Sequence, residues 1–525
     1  KVGKFEEKLN HTFEGLKERY EHMLHDVLQW RPVTIFVACF VLFMCFAFYA
    51  ISQKELAPTE DQGFVFVTGF GEKDSTHAVM EKYAAQVNDI FKDIPEGDAY
   101  FLINGLGSVN NFIGGIVLKP WEDRKRSQFD IQKEIQGKLA GISGINAFSV
   151  NFPALPGASQ GGISFVVSST DDYKTIFDVT QKMLADARKS GQFYYVDSDL
   201  KFSSPQLNID IDRNKAQQLG ISMQDAANTL SVMLGGGYLN FFSLEGRSYQ
   251  VIPQVPDDYR RNPDQLGQYY VRTASNTMVP MSAIATISSS VVPDQLNQFQ
   301  QLNSATISGF GQGTMGQMVD YFNAEAKKYF PSGFFVNYAA DTRQYVTEGN
   351  TFVIVFFFAI IIIFLVLAAQ FESWRDPFVI LTSVPLAVCG ALIPIAMGFA
   401  TINIYTWVGL VTLVGLISKH GILMVDFANK MQEHEGMAKR QAIEHAAAVR
   451  LRPILMTTAA MVLGVFPLLI ASGAGAASRR DIGIVIAAGM TIGTLFTLFV
   501  VPTMYTFFAR DHQAAAAAQA QREKS

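Results

Sequence analysis

Lys419 stands inside an otherwise apolar run, Val414-Gly-Leu-Ile-Ser-Lys-His-Gly-Ile-Leu-Met-Val-Asp426. The run opens at Ile404, which puts the ammonium about 22 Å along a helix that rises ~1.5 Å per residue. A lysine near the bilayer centre costs about 2.5–3.5 kcal/mol on insertion scales, and the cost is tolerated where the ammonium meets a carboxylate or a water-filled path. The alternative is a side chain that snorkels to the cytoplasmic headgroups. No acid stands at equal depth: Asp426 is seven residues further on, and Glu372, Asp376 and Asp481 sit at the ends of apolar runs. The partner of Lys419 is therefore expected on a polypeptide segment outside this sequence. The next apolar run adds Arg450 and Thr457, seven residues apart and so on one helical face. A hydroxyl that donates and accepts suits a hydrogen-bond switch linked to protonation; the alternative is a bond to its own helix backbone. Arg450, like Arg452 before Pro453, is alternatively an interfacial anchor.

Six apolar stretches are long enough to carry such residues across a membrane: Pro32–Ile51, Thr351–Gln370, Pro377–Phe399, Ile404–Ala428, Pro453–Gly473 and Ile482–Ala509. With 49% hydrophobic and 17% charged residues, the chain is too apolar for an ordinary soluble enzyme. Lys and Arg gather in the N-terminal segment, beside Arg375, in the loop holding Lys439 and Arg440, and in the tail. That side is cytoplasmic by the positive-inside rule, so the long segment 52–350 lies outside, in a bacterium the periplasm. The expected order is a cytoplasmic amphipathic helix over 1–31, with Phe5, Leu9, Phe13, Leu16, Tyr20 and Leu24 on one side, and a first span over 32–51. Porter subdomains follow over 52–205, a docking-like subdomain over 206–294 and a return to the porter over 295–350. Five spans occupy 351–509 and a cytoplasmic tail 510–525. A start at Lys1, without Met, suggests a piece of a longer polypeptide. Cys39, Cys45 and Cys389 all fall in apolar stretches, so no disulfide staples the outer segment.

Within 52–350, strand-like and helix-like runs alternate, predicting small α+β sandwiches of the split βαβ kind. The run Leu234–Phe242, with Gly235, Gly236 and Gly237, reads as an extended loop that leaves its domain and buries Tyr238, Phe241 and Phe242 elsewhere; the alternative is a hairpin folded back.

Several segments resemble the hydrophobe/amphiphile efflux branch of the resistance–nodulation–division (RND) superfamily. They are Pro58-Thr-Glu-Asp-Gln-Gly63, Ile209-Asp-Ile-Asp-Arg-Asn-Lys-Ala-Gln217, Phe371-Glu-Ser-Trp-Arg-Asp-Pro377, Gly415–Phe427, Arg450-Leu-Arg-Pro-Ile-Leu-Met-Thr457 and Gly464-Val-Phe-Pro-Leu-Leu469. The resemblance implies an α-helical membrane domain of six transmembrane helices plus a large periplasmic α+β domain, together the C-terminal half of a twelve-helix inner-membrane pump. It implies proton-driven antiport of drugs, dyes or detergents, with no cofactor beyond the proton gradient. The implied partners are an N-terminal half carrying paired aspartates for Lys419, a homotrimer, a periplasmic adaptor (membrane fusion) protein, an outer-membrane channel, small amphiphilic substrates and membrane lipid. Arg450 and Thr457 fall on family positions of the proton relay. Phe66, Phe101, Phe148, Val150 and Phe152 fall on pocket-lining positions, with membership of the core as their alternative.

The sequence departs from the family pattern at the inter-pocket loop, where Leu106 and Ser108 replace two phenylalanines, near Gly115, where a pocket phenylalanine is missing, and at Asp197, where an entrance arginine is expected. An acid there predicts a preference for cationic amphiphiles. The glycine-rich runs lack P-loop spacing, the eight histidines form no ligand pattern, and a net charge of −5 gives no hint of nucleic acid. A protein-export subunit similar to SecD or SecF, with the same order of one helix, one large domain and five helices, is the alternative from another class.

Overall fold

The computed structural model describes residues 4–72, 75–152, 155, 162–311 and 313–511. Six described helices are long and apolar enough to cross a membrane: Arg31–Ile51, Ala340–Phe371, Arg375–Ala396, Ile404–His434, Lys439–Leu469 and Ala476–Phe508. Several start earlier than the apolar runs. The fifth begins at Lys439, not Pro453, because an alanine-rich turn, Ala446–Ala448, favours helix. Pro453 is absorbed inside it and removes only one backbone donor. The last begins at Ala476, ahead of Ile482.

Before the first span, Lys4–Gln29 is one helix. Tyr20, Leu24 and Leu28 are buried with Ile443, Leu451 and Tyr505, and the Tyr20 hydroxyl donates to the Leu498 carbonyl at 2.6 Å. Leu16, expected on the packed side, is exposed; the side chains of Phe5 and Leu9 lie outside the described residues.

Strands β1 (Phe64–Gly71), β2 (Gly97–Asn104), β3 (Asn111–Leu118) and β4 (Ile145–Val150) form an antiparallel sheet in the order β2-β3-β1-β4. Helices His77–Lys92 and Gln128–Leu139 complete the β-α-β-β-α-β order of a split βαβ sandwich. Ser127 and Asp130 close the second of these with a capping box. Odd-numbered β1 residues, Val65 and Val67, meet Met80, Val87, Ile131 and Ile135 in a closed apolar layer under the helices.

The same order returns with β5 (Ile163–Ser169), β6 (Phe193–Ser198) and strands Leu302–Gly311 and Phe334–Tyr338. Leu302–Gly311 pairs with both β5 and β6, and Phe334–Tyr338 with β5. In the chain, the segment between the second and third strands of this sandwich is a separate compact unit, residues 199–297, a wider span than 206–294.

That unit has its own core, including Ala226, Leu266, Val271 and Met281. Gly235 ends helix Met223–Leu234 in the left-handed conformation (φ 75°), a position that favours glycine. The expected long loop is instead a turn followed by a hairpin, Asn240–Leu244 against Arg247–Val251. Glu245 and Gly246 both take positive φ, as a two-residue hairpin turn of right-handed twist requires. Phe242 stacks on Tyr249 across the hairpin at 5.6 Å, while Tyr238, Leu239, Phe241, Phe242 and Leu244 all remain exposed.

Candidate functional site: a polar line in the membrane helices and an aromatic sheet face

Asn403 caps the Lys419 helix, accepting from Tyr405 N at 2.9 Å and Thr406 N at 3.1 Å. Lys419 lies on an exposed strip of it, and makes no ion pair or hydrogen bond among the described residues. Asp426 is not its partner: that carboxylate pairs with Lys430 at 2.7 Å. Asp481 accepts from the Asn403 amide at 2.6 Å, holding the start of the final helix to the start of the Lys419 helix.

Thr457 and Arg450 approach the Lys419 helix at two levels. The Arg450 guanidinium lies 4.6 Å over the Phe427 ring, and its Nε is buried without a hydrogen-bond partner among the described residues. Thr457 donates to its own helix, with Ile454 O at 2.9 Å and Pro453 O at 3.0 Å, which is the back-bonded state. Its oxygen also lies 3.4 Å from Nε2 of His420, a fully buried ring. On the other side, His420 Nδ1 is 3.4 Å from the Thr494 hydroxyl, which lies 3.1 Å from that of Thr458. The predicted trio is thus placed on two packed helices, and Lys419, Arg450 and Thr457 do not bond to one another among the described residues. His420 and Thr494 are the polar groups that the sequence pattern does not single out. The one available signal is that His420 follows Lys419 directly in an apolar run.

The pocket candidates share one face of the first sheet. Phe66 is opposite Gly115 on β3, and Gly115 is opposite Phe101 on β2. Phe66 is also opposite Val150 on β4. Alternation puts Phe148 on this face too, turned away from the helix-covered layer. Two aromatic groups form there: Phe64 with Phe101 and Phe152 at 6.3 and 5.3 Å, and Phe148 with Tyr195 at 4.2 Å, joined by Phe70 at 6.1 and 5.8 Å. Phe66 reaches Phe152 at 5.5 Å. Phe66 and Val150 are buried, but by this face and not by the helices, whereas Phe101 and Phe152 are exposed. Phe64, Phe70 and Tyr195 are additions to the predicted set. Gly115 makes room for Phe64: a Cβ there would overlap the Phe64 ring.

Leu106 and Ser108 occupy the β2–β3 loop, where Leu106 is exposed and the Ser108 hydroxyl donates to Asn110 at 2.7 Å. Asn110 in turn donates to Gly71 O at 3.0 Å, fixing the loop to β1. Asp197 does not stand as an isolated anion. Arg188 lies 3.5 Å from it, the Tyr195 hydroxyl donates to it at 3.1 Å, and only 17% of its side chain is exposed. Burial, reinforced by Asp197, raises the Tyr195 pKa and keeps that phenol a donor.

Residues 1–509 match the AcrB/AcrD/AcrF family. The chain belongs to this family of RND transporters, multi-pass proteins of the inner membrane. It is 40% identical over 523 residues to an uncharacterized transporter of Haemophilus influenzae (97% of this chain, 50% of the relative). It is 29% identical over 514 residues to the multidrug resistance protein MdtF of Escherichia coli (95% and 49%). It is 30% identical over 519 residues to the toluene efflux pump membrane transporter TtgB of Pseudomonas putida (94% and 48%). The chain spans about half the length of the curated relatives it matches. Membership of this family displaces the protein-export alternative.

Within this family member, Pro58–Gly63 is a structural joint. Glu60 accepts from Ala477 N at 3.1 Å and Ser478 N at 2.7 Å, at the first turn of the final helix. Asp61 pairs with the buried Arg124 and accepts from Gln128 N at 3.0 Å. The motif therefore ties a membrane helix to the edge of the first sandwich.

Proposed function

We propose that this chain is the C-terminal half of an RND pump that exports amphiphilic drugs, dyes or detergents from the periplasm and inner membrane in exchange for protons. The observation that carries the reading is Lys419: an ammonium set in an apolar helix, on an exposed strip and without an ion pair among the described residues. A charge so placed implies a carboxylate supplied by the other half, and protonation of that carboxylate would release the lysine. Arg450, with its Nε unsatisfied, and Thr457, with a hydroxyl that can turn from its own backbone, line the same helix pair. The aromatic face of the first sheet, with Phe66, Phe101, Phe148, Val150 and Phe152, supplies apolar and stacking surface for amphiphiles. Multidrug and toluene efflux relatives agree with that substrate class. In the complete transporter the exposed hairpin of residues 240–251 is suited to a neighbouring protomer of a homotrimer, and the periplasmic adaptor and outer-membrane channel would complete the export path.

The test is Lys419→Ala in the complete transporter, assayed by dye efflux from energised cells at matched protein level. We expect loss of efflux with normal assembly; efflux at the unsubstituted rate overturns the proton-coupling role.

A further inference from the structure

The His420 side chain bridges three membrane helices: its own, the Thr457 helix (Lys439–Leu469) and the final helix (Ala476–Phe508). A neutral imidazole has one N–H and one bare nitrogen, and the bonds around it decide which is which. The Thr457 proton is already used on Ile454 O or Pro453 O. The Thr457 oxygen must therefore accept, which assigns the ring proton to Nε2. Nδ1 is then bare and accepts from Thr494, whose oxygen is left to accept from Thr458. Every donor in the line is used once, and the line runs from Thr458 through Thr494 of the final helix and His420 into Thr457.

We infer that His420 is the positioning residue for Thr457: its Nε2–H holds the Thr457 oxygen in place while the hydroxyl proton stays free to turn. In the present arrangement the proton is parked on the helix backbone. An acceptor that approached across the Lys419 strip, such as an ionised carboxylate of the other half, would draw it outward. The oxygen would stay where His420 holds it, so the hydroxyl would turn without a shift of the helix. The bond to the backbone and the bond to the incoming acceptor are alternatives for one proton, which is what a two-position switch needs. No proton leaves the ring or the hydroxyl in this step. Thr494 and Thr458 serve the same end one step back, because they fix the ring's orientation. This deepens the proton-driven reading and rests on it.

A purely structural histidine would glue the helices, and its loss would be felt as instability. A positioning histidine is distinguished by its replacements. His420→Gln offers an amide N–H and a carbonyl oxygen, whereas His420→Leu fills similar space with no polar atom. In the complete transporter, dye efflux kinetics and the thermal melt of the detergent-solubilised pump should be measured for both. We expect His420→Leu to assemble and to lower maximal efflux about tenfold, the equivalent of one hydrogen bond, with KM within about twofold. His420→Gln should restore most of the rate, and His420→Leu combined with Thr457→Ala should be no slower than the slower single variant. A normal rate for His420→Leu, or failure of an assembled His420→Gln to restore it, overturns the inference. If His420→Leu does not assemble, Thr494→Val decides: a severalfold fall in maximal rate supports the line of hydroxyls, and an unchanged rate overturns it. Lys419→Ala in the same assay separates the two claims. If it exports normally, the proton-driven reading falls; if it is inactive while His420→Leu keeps its rate, only the inference does.

Discussion

Glu60 caps the final membrane helix from outside it, its carboxylate accepting the backbone N–H of Ser478 at 2.7 Å. The first turn of any helix leaves backbone donors without partners, and an anion there gains from the helix dipole as well. Glu60 is itself buried, so removing it strands donors in a place water does not reach. Four residues later the chain enters β1. One side chain thus joins the helix that holds Thr494 to the sheet that holds Phe66.

Glu60→Ala is expected to destabilise the protein by about 1–3 kcal/mol, the cost of unsatisfied buried donors, and Glu60→Gln by less, because an amide oxygen still accepts. Thermal melts in detergent at one pH check this. An Ala variant that melts with the unsubstituted protein would show that the cap is replaced by solvent.

Glu55, bonded to Thr401 just ahead of the Lys419 helix, gives a pH dependence. Burial pushes its pKa up from 4.5 to about 7, with the nearby Asp481 carboxylate adding to the rise and the 2.6 Å bond from Thr401 opposing it. The folded protein therefore keeps a proton that the unfolded chain has lost. The stabilisation is complete below pH ~4.5 and is lost as pH rises through ~7. Relative to Glu55→Gln, the unsubstituted protein should lose thermal stability between those limits and run parallel above them. Parallel melting curves across the whole range would mean that Glu55 is well solvated.

The membrane helices and both sandwiches can be read along the chain because each rests on local periodicity. Lys419 is legible for a related reason: its cost follows from depth alone, whatever surrounds it. His420 is not, since a neutral imidazole is an ordinary core group and its partners lie 37 and 74 residues away. The aromatic face is half legible. The family resemblance implies Phe66, Phe148 and Phe152, but the pairing of Phe148 with Tyr195 needs the two sandwiches to meet. At Gly235–Gly237, three glycines suggest a loop and draw more weight than the Glu245-Gly246 turn further along, which is what makes the hairpin. Asp197 shows the same limit for charge: its neutralising Arg188 comes from the preceding helix, a relationship that only the packing of helix on strand creates.

That pair changes what Asp197 is expected to do for substrates. As an isolated anion it would favour cationic amphiphiles. Paired with Arg188 it carries no net charge, although the pair is weak because the arginine is about half exposed. Its firmer task is to accept the Tyr195 hydroxyl and so set the ring that packs on Phe148. An aromatic pair of this kind is worth about 0.5–1.5 kcal/mol, roughly a few-fold to tenfold in affinity. Asp197→Asn keeps an acceptor for Tyr195 and should leave export of both charge classes within about twofold, whereas Asp197→Ala frees the ring and should weaken export of planar dyes several-fold whatever their charge. A susceptibility panel of cationic and anionic compounds in a pump-deleted host makes the comparison. Selective loss of cations in Asp197→Asn would show instead that the carboxylate meets the substrate directly and that Arg188 leaves it when a cation arrives.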